Sequence, residues 1–207
     1  AVDHFFQDAP ANRIYNDLLG AAVAEALRAL PQGRKARLLE LGLSSEAAAG
    51  SGFPGWPTDR IEQTLISVLE EGDSATSLPG SAADAKHRIV DLDESLSEQD
   101  LTDFSFDLVV LPVGLSFSRT PQVDLERIRR LLAPGGLLVA LEETGQPVWR
   151  NLLLRPFRRQ KFYSDTTPET LSNGQSISRE LLQVAGLGRV TRLEEQVSEP
   201  EKSLYLA

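Results

Sequence analysis

The residues of this chain with chemical reach stand at the ends of apolar runs. The first group is Arg37-Leu-Leu-Glu40-Leu-Gly42-Leu43-Ser44-Ser45-Glu46. An apolar strand that ends in acid-x-glycine is how a nucleotide-binding α/β loop begins. Glycines there let backbone N–H groups approach a bound anion, and the N-terminus of the next helix favours its charge. Here the glycines stop after Gly42. Glu70 and Glu71 follow a second apolar run, Asp91 lies in a third, and Glu142 and Glu143 follow a later one. Each is a carboxylate that can accept a proton, although a glutamate pair at a strand end is more often solvated surface. The two histidines, His4 in the N-terminal arm and His87 at the start of a strand, are poorly placed as general bases. With no Cys and two His, thiolate nucleophiles, disulfides and zinc sites are excluded or improbable, and no metal site is expected.

One segment is both basic and aromatic. Arg150, Arg155, Arg158, Arg159 and Lys161 alternate with Trp149, Phe157, Phe162 and Tyr163. Charge pairing with an acidic partner suits it, and so does a solvated segment with its aromatics in the core. The whole chain argues against nucleic acid and anionic membrane as partners, because its formal net charge is -9 and its pI is near 4.8. No apolar run reaches membrane-spanning length, and the N-terminus lacks the pattern of a signal peptide. A cytoplasmic chain is the expectation. At 207 residues, 41% hydrophobic and 25% charged, one globular domain is expected. The chain contains no Met, even at position 1, so we expect a piece of a longer polypeptide.

These groups need strands and helices to position them. Ile14, Leu18, Leu19, Ala22, Val23, Ala26, Leu27 and Leu30 make a helical apolar stripe over 12–30, stopped by Pro31-Gln-Gly33. Strands are expected at 37–43, 64–69, 87–92 and 106–113, the last apolar enough for the centre of a sheet. A helix over 123–132 ends in the turn Pro134-Gly135-Gly136, and a strand at 137–141 follows. A helix over 178–184 precedes a closing hairpin, 189–195 with 203–206. Strands alternating with helices, and a final strand pair, predict a mostly parallel sheet with an antiparallel edge. Ligands of such sheets sit at the carboxyl ends of the strands, near the topological switch point.

His87-Arg-Ile-Val-Asp91-Leu-Asp93, then Phe106-Asp-Leu-Val-Val-Leu, then Leu131-Leu-Ala-Pro-Gly-Gly-Leu-Leu-Val-Ala-Leu-Glu142 resemble, in order and kind, the class I S-adenosylmethionine-dependent methyltransferases. With the segment Val148-Trp149-Arg-Asn-Leu-Leu, they look most like the methyltransferase domains embedded in polyketide synthases. The resemblance runs from about Phe5 to the C-terminus. It implies an α/β, Rossmann-like class I methyltransferase fold: a mostly parallel seven-stranded sheet with an antiparallel C-terminal edge and helices on both faces. It also implies one domain over 1–207, with an N-terminal arm and helix over 1–33 and a Rossmann-like core over 34–207.

The departures from the family pattern concern the chemistry. Active members read roughly E-x-G-x-G-x-G in the first loop. Glu40 and Gly42 match it, while Ser44 and Glu46 stand where the second and third glycines belong. Glu46 would put a carboxylate at the helix N-terminus and repel the cofactor's own. Together these changes cost on the order of several kcal/mol of cofactor binding, a thousand-fold or more. Glu70 lies late for the acid that holds the ribose; Asp91 matches the acid near the adenine and equally suits a strand-end turn. The histidine expected after the fourth strand is replaced within Pro112-Val-Gly-Leu-Ser116-Phe117. Glu40, Gly42, Ser44, Glu46, Glu70 and Asp91 are therefore read as a vestigial cofactor site, with no cofactor expected to bind.

Sequence alone thus predicts a catalytically inactive pseudo-methyltransferase domain of a polyketide synthase, in a structural role beside neighbouring synthase domains. The alternative is an active enzyme that binds S-adenosylmethionine, uses Glu142 or Glu143 as base, and methylates an acyl chain tethered to a carrier protein. In either case the 150–161 segment is the candidate contact for an acyl carrier protein. A cleft that binds some other small ligand is a third possibility.

Overall fold

In a computed structural model of the chain, the residues described are 10–42, 57–68, 86–89, 98–99, 101–112, 115, 120–143, 177–194 and 202–207. The first element is helix α1, Pro10–Ala29. It starts earlier than its apolar stripe because proline is preorganised for a first helical turn. Arg60 ties down its far end, with Nη2 donating to the carbonyls of Leu30 at 2.6 Å and Pro31 at 3.0 Å. These carbonyls lie just past the helix end, and that of Pro31 also accepts from the Arg34 N–H at 3.1 Å.

Four parallel strands follow in the chain: β1 Ala36–Gly42, β2 Ile61–Val68, β3 Lys86–Ile89 and β4 Phe106–Leu111. The second begins earlier than the apolar run alone predicts, since Ile61 already pairs with Ala36. The third covers only the first part of its expected span; 90–92 lie outside the described residues. The fourth stops at Leu111 because Pro112 has no N–H for the ladder. Helix α2, Pro121–Leu131, buries Pro121, Asp124, Leu125, Ile128 and Leu131 on one stripe. Asp124 in its first turn and Arg129 and Arg130 in its last complement the helix dipole.

Strand β5 spans Leu132–Glu143 and so includes the Pro134-Gly135-Gly136 turn. Leu132 pairs with Phe106, the register slips, and Leu137 resumes pairing with Leu108. The turn is therefore a bulge inside one strand rather than a gap before it. Gly135 has φ 75°, and a Cβ on Gly136 would lie 2.9 Å from the Ala133 carbonyl oxygen, so both positions demand glycine. Helix α3, Arg179–Val184, is capped by Ser178, whose Oγ accepts from the Leu181 N–H at 3.1 Å. Strands β6, Thr191–Glu194, and β7, Lys202–Leu206, close the chain as an antiparallel pair.

The seven strands lie in the order β3-β2-β1-β4-β5-β7-β6. All are parallel except β7, which runs antiparallel to both neighbours. The alternation of side chains along each strand makes two cores. On one face Tyr15, Leu19, Val23 and Leu27 of α1 pack on Leu38, Leu108, Val110, Val139 and Leu204. On the other, Leu125, Ile128 and Leu131 of α2 and Leu182 of α3 pack on Leu39, Leu41, Val109, Leu111, Leu138 and Tyr205. The expected α/β sheet, with helices on both faces and an antiparallel C-terminal edge, is the architecture observed.

Candidate functional site

Strand order reverses between β1 and β4: from β1 the chain first moves outward to β2 and β3, then returns to β4 on the other side. This is the topological switch point, and its carboxyl edge is where such sheets bind ligands. Gly42 ends β1 at that edge, level with Val68 of β2. The sequence that leaves the edge is Leu43-Ser44-Ser45-Glu46. Ser44, Glu46, Glu70 and Asp91 lie outside the described residues, as do His4 and the whole 150–161 basic segment.

Glu40 is level with Ile66 of β2 and Val110 of β4. By strand alternation it faces the same side as Ala36 and Leu38, the side of the α1 core. It is fully buried, and neither carboxylate oxygen has a hydrogen-bond partner. Burial in this apolar face pushes its carboxyl group well above the ordinary glutamate range.

Glu142, 2% exposed, is a second buried carboxylate at this end, and Asp124 in the first turn of α2 is buried as well. Glu142 Oε2 accepts from the backbone N–H of Leu115 at 3.1 Å. This corrects the expectation of a solvated strand end: the carboxylate is interior and holds the segment that follows β4. By alternation Glu142 shares the α2–α3 face with Leu138 and Ala140, opposite to Glu40. Relative to Val139, which is level with Val110 and hence with Glu40, it lies further along the strand direction and on the other side of the sheet. The structure does not bring these two carboxylates together. Glu143 ends β5, paired with Lys202. His87 is in β3, as expected, away from the switch point.

The polar residues around Glu142 continue across the sheet. Glu142 is directly opposite Ser203 of β7, which is fully buried. Ser203 Oγ accepts from Arg192 of β6, from Nε at 3.1 Å and Nη2 at 3.0 Å. The same guanidinium stands 5.7 Å above the Tyr205 ring. Sequence reading missed this ladder; a lone Ser between Lys202 and Leu204 carries no signal of it. Among the described residues no group of three or more His, Cys, Asp or Glu could hold a metal ion, and no helix is long and apolar enough to cross a membrane.

No protein-family model matches the chain. Its fold is shared with known structures. The CurJ carbon methyltransferase superposes with a TM-score of 0.76 over 99% of this chain and 56% of that one, at 18% identity. The methyltransferase domain of the citrinin polyketide synthase gives 0.70 over 99% of this chain and 55% of that one, also at 18% identity. With the 3-2-1-4-5-7-6 strand order, these decide the architecture. This is the class I methyltransferase fold.

The sequence likeness points the same way. The highly reducing polyketide synthase acrA of Aspergillus aculeatus is 27% identical over 164 residues, 74% of this chain and 7% of its own length. The polyketide synthase–nonribosomal peptide synthetase hybrid himA of Aspergillus japonicus is 29% identical over 157 residues, 73% of this chain and 4% of its own length. The chain thus matches a small part, 4–7%, of the length of these polypeptides, and its fold is similar to that of the citrinin polyketide synthase methyltransferase domain. Within that fold, Glu40 and Gly42 end the first strand and Glu142 supports the segment after the fourth.

Proposed function

We propose that this chain is a pseudo-methyltransferase domain of a polyketide synthase: a class I methyltransferase fold retained for structure and domain organisation, without S-adenosylmethionine chemistry. One observation carries the reading. At the switch point, the sequence leaving Gly42 is Leu43-Ser44-Ser45-Glu46, in place of a glycine loop. Against the family pattern, a carboxylate at position 46 would oppose the cofactor's own, and side chains at 43–46 would obstruct the backbone approach that glycines permit.

The described carboxylates support it. Glu40 is buried without a hydrogen-bond partner, and burial raises its pKa, which disfavours the charged form that would pair with a cofactor's ammonium. Glu142 accepts from the Leu115 N–H, which gives this carboxylate a structural task in the sheet. In this reading the domain's partners are neighbouring domains of the same synthase, in the cytoplasm, and the 150–161 segment is the candidate contact for a carrier protein.

Isothermal calorimetry with S-adenosylmethionine and S-adenosylhomocysteine tests the reading. No heat of binding is expected up to millimolar ligand. Micromolar affinity would overturn it and favour an active enzyme on a carrier-tethered acyl chain.

A further inference from the structure

Strand β6 is the outermost strand at its edge of the sheet, and Arg192 within it is an exposed residue. A long cationic side chain in such a place ordinarily extends its head into water. Here the fork turns inward across β7 instead. Nε and Nη2 both end on the Ser203 hydroxyl, at 3.1 Å and 3.0 Å, and the guanidinium carbon stands 5.7 Å from the centre of the Tyr205 ring. Ser203 is fully buried and Tyr205 is 4% exposed, so a cation of the edge strand is tethered at the margin of the core. A serine hydroxyl has two acceptor lone pairs, and this one gives both to a single guanidinium.

The group placed to gain from that cation is Glu142. It lies directly opposite Ser203 on β5, and opposite residues of an antiparallel pair have Cβ atoms about 5 Å apart. The fork on Ser203 is thus one side chain away from a carboxylate that is 2% exposed. An interior carboxylate keeps its charge only beside a counter-charge, and the Leu115 N–H that donates to Glu142 is neutral. The arginines of α2, the helix packed on this face, are engaged elsewhere. Arg127 pairs with Asp124 at 3.5 Å, Arg129 donates to the Gly186 carbonyl at 3.4 Å, and Arg130 pairs with Asp103 at 3.2 Å. Glu194 of β6 is the rival partner, since it lies opposite Ser203 on the outer side. The fork, however, leaves its own strand for β7, in the direction of β5.

We propose that Arg192 is a positioning residue for Glu142: tethered by Ser203 and Tyr205, its charge holds the interior carboxylate in place, and the carboxylate holds the Leu115 N–H. The antiparallel edge of the sheet thereby fixes the segment that leaves β4 beside the switch point. This assignment goes beyond the scaffold reading and holds whether or not the cleft binds a cofactor.

Amide hydrogen exchange at Leu115 in the 207-residue chain tests it. R192M keeps an unbranched stem at an exposed position and removes the charge, so the fold should survive. Exchange at Leu115 should then be about tenfold faster, and R192K should restore the parent rate. In an E142Q background, which has no charge to balance, R192M should change nothing. S203A frees the fork but keeps its charge, and should fall between R192M and the parent chain. A residue that merely stiffens the edge would act equally in both backgrounds, and that result overturns the proposal. So does a Leu115 rate in R192M equal to that of the parent chain. Loss of the R192M effect in an E194Q background, with its persistence in E142Q, also overturns it by making Glu194 the partner. Cofactor binding in the calorimetry would leave these rates untouched, so the two readings fail separately.

Discussion

The two ends of the β1–β4 pair treat a carboxylate in opposite ways. At the amino end, Asp107 accepts from the Arg37 N–H at 3.0 Å, from Arg37 Nε at 3.2 Å and from Arg34 Nη2 at 2.8 Å. Partial burial raises its proton affinity, but those hydrogen bonds and the Arg37 charge together outweigh it and lower the pKa. At the carboxyl end, Glu40 has burial and nothing to offset it. One end is a satisfied structural joint. The other retains an acid whose position makes sense in a cofactor loop and not in an apolar core. If the cleft had been rebuilt around stability alone, Glu40 would be the first side chain to go.

The largest effect should come from breaking the satisfied end. D107A strands the Arg37 N–H and removes the shared partner of two guanidinium groups, and should lower stability by about 3 kcal/mol in urea melts. The sign with pH follows from the lowered pKa. The unfolded chain binds the proton first as pH falls, so the contribution is fully present above the unfolded aspartate pKa, about 3.9, and is lost as pH drops through the lower folded value. D107N should therefore flatten the acid limb of the stability profile. An acid limb identical to that of the parent chain would show that the joint does not matter.

How far this contrast was legible in the sequence differs between the two ends. The alternation of strands and helices, the apolar stripe of α1 and the Pro134-Gly135-Gly136 turn follow from periodicity and turn chemistry, which are local. The bulge that turn makes within β5 was not, because it depends on where Leu132 and Leu137 find partners on β4. The departure from the glycine pattern after Gly42 is a reading of sequence alone, because residues 43–46 lie outside the described residues. The state of Glu40 was not legible: an acid in an apolar strand reads alike whether it faces solvent, a ligand or a core. Asp107, the second residue of Phe106-Asp-Leu-Val-Val-Leu, offered the same ambiguity with the opposite outcome. Glu142 looked like a solvated end because the Leu115 N–H that it holds lies 27 positions away.

Relieving the unsatisfied end should do the reverse of D107A. E40L removes a buried polar group without partners and should stabilise the fold by about 2 kcal/mol at neutral pH, seen as a higher urea midpoint. E40Q separates titration from polarity. With a raised folded pKa, the native state keeps its proton after the unfolded chain has lost it, so the parent chain loses stability as pH rises above the unfolded glutamate value, about 4.3. The stability difference between E40Q and the parent chain should grow from pH 4 to pH 8. A difference that is flat, or that shrinks, would mean Glu40 has a charged partner in solution and would weaken the contrast between the ends.

The smallest effect is expected at Glu142, which belongs to the cleft end by position and to the satisfied end by its bonding. E142A leaves the Leu115 N–H inside the protein without its acceptor, at about 1 kcal/mol, while E142Q keeps an acceptor in place and should be nearly neutral. The sharper readout is local: amide exchange at Leu115 should accelerate in E142A and stay slow in E142Q. If it accelerates equally in both, the ionised carboxylate and not mere geometry holds the segment after β4. If neither variant changes it, Leu115 is held by packing alone, and Glu142 would again be a candidate for work in the cleft.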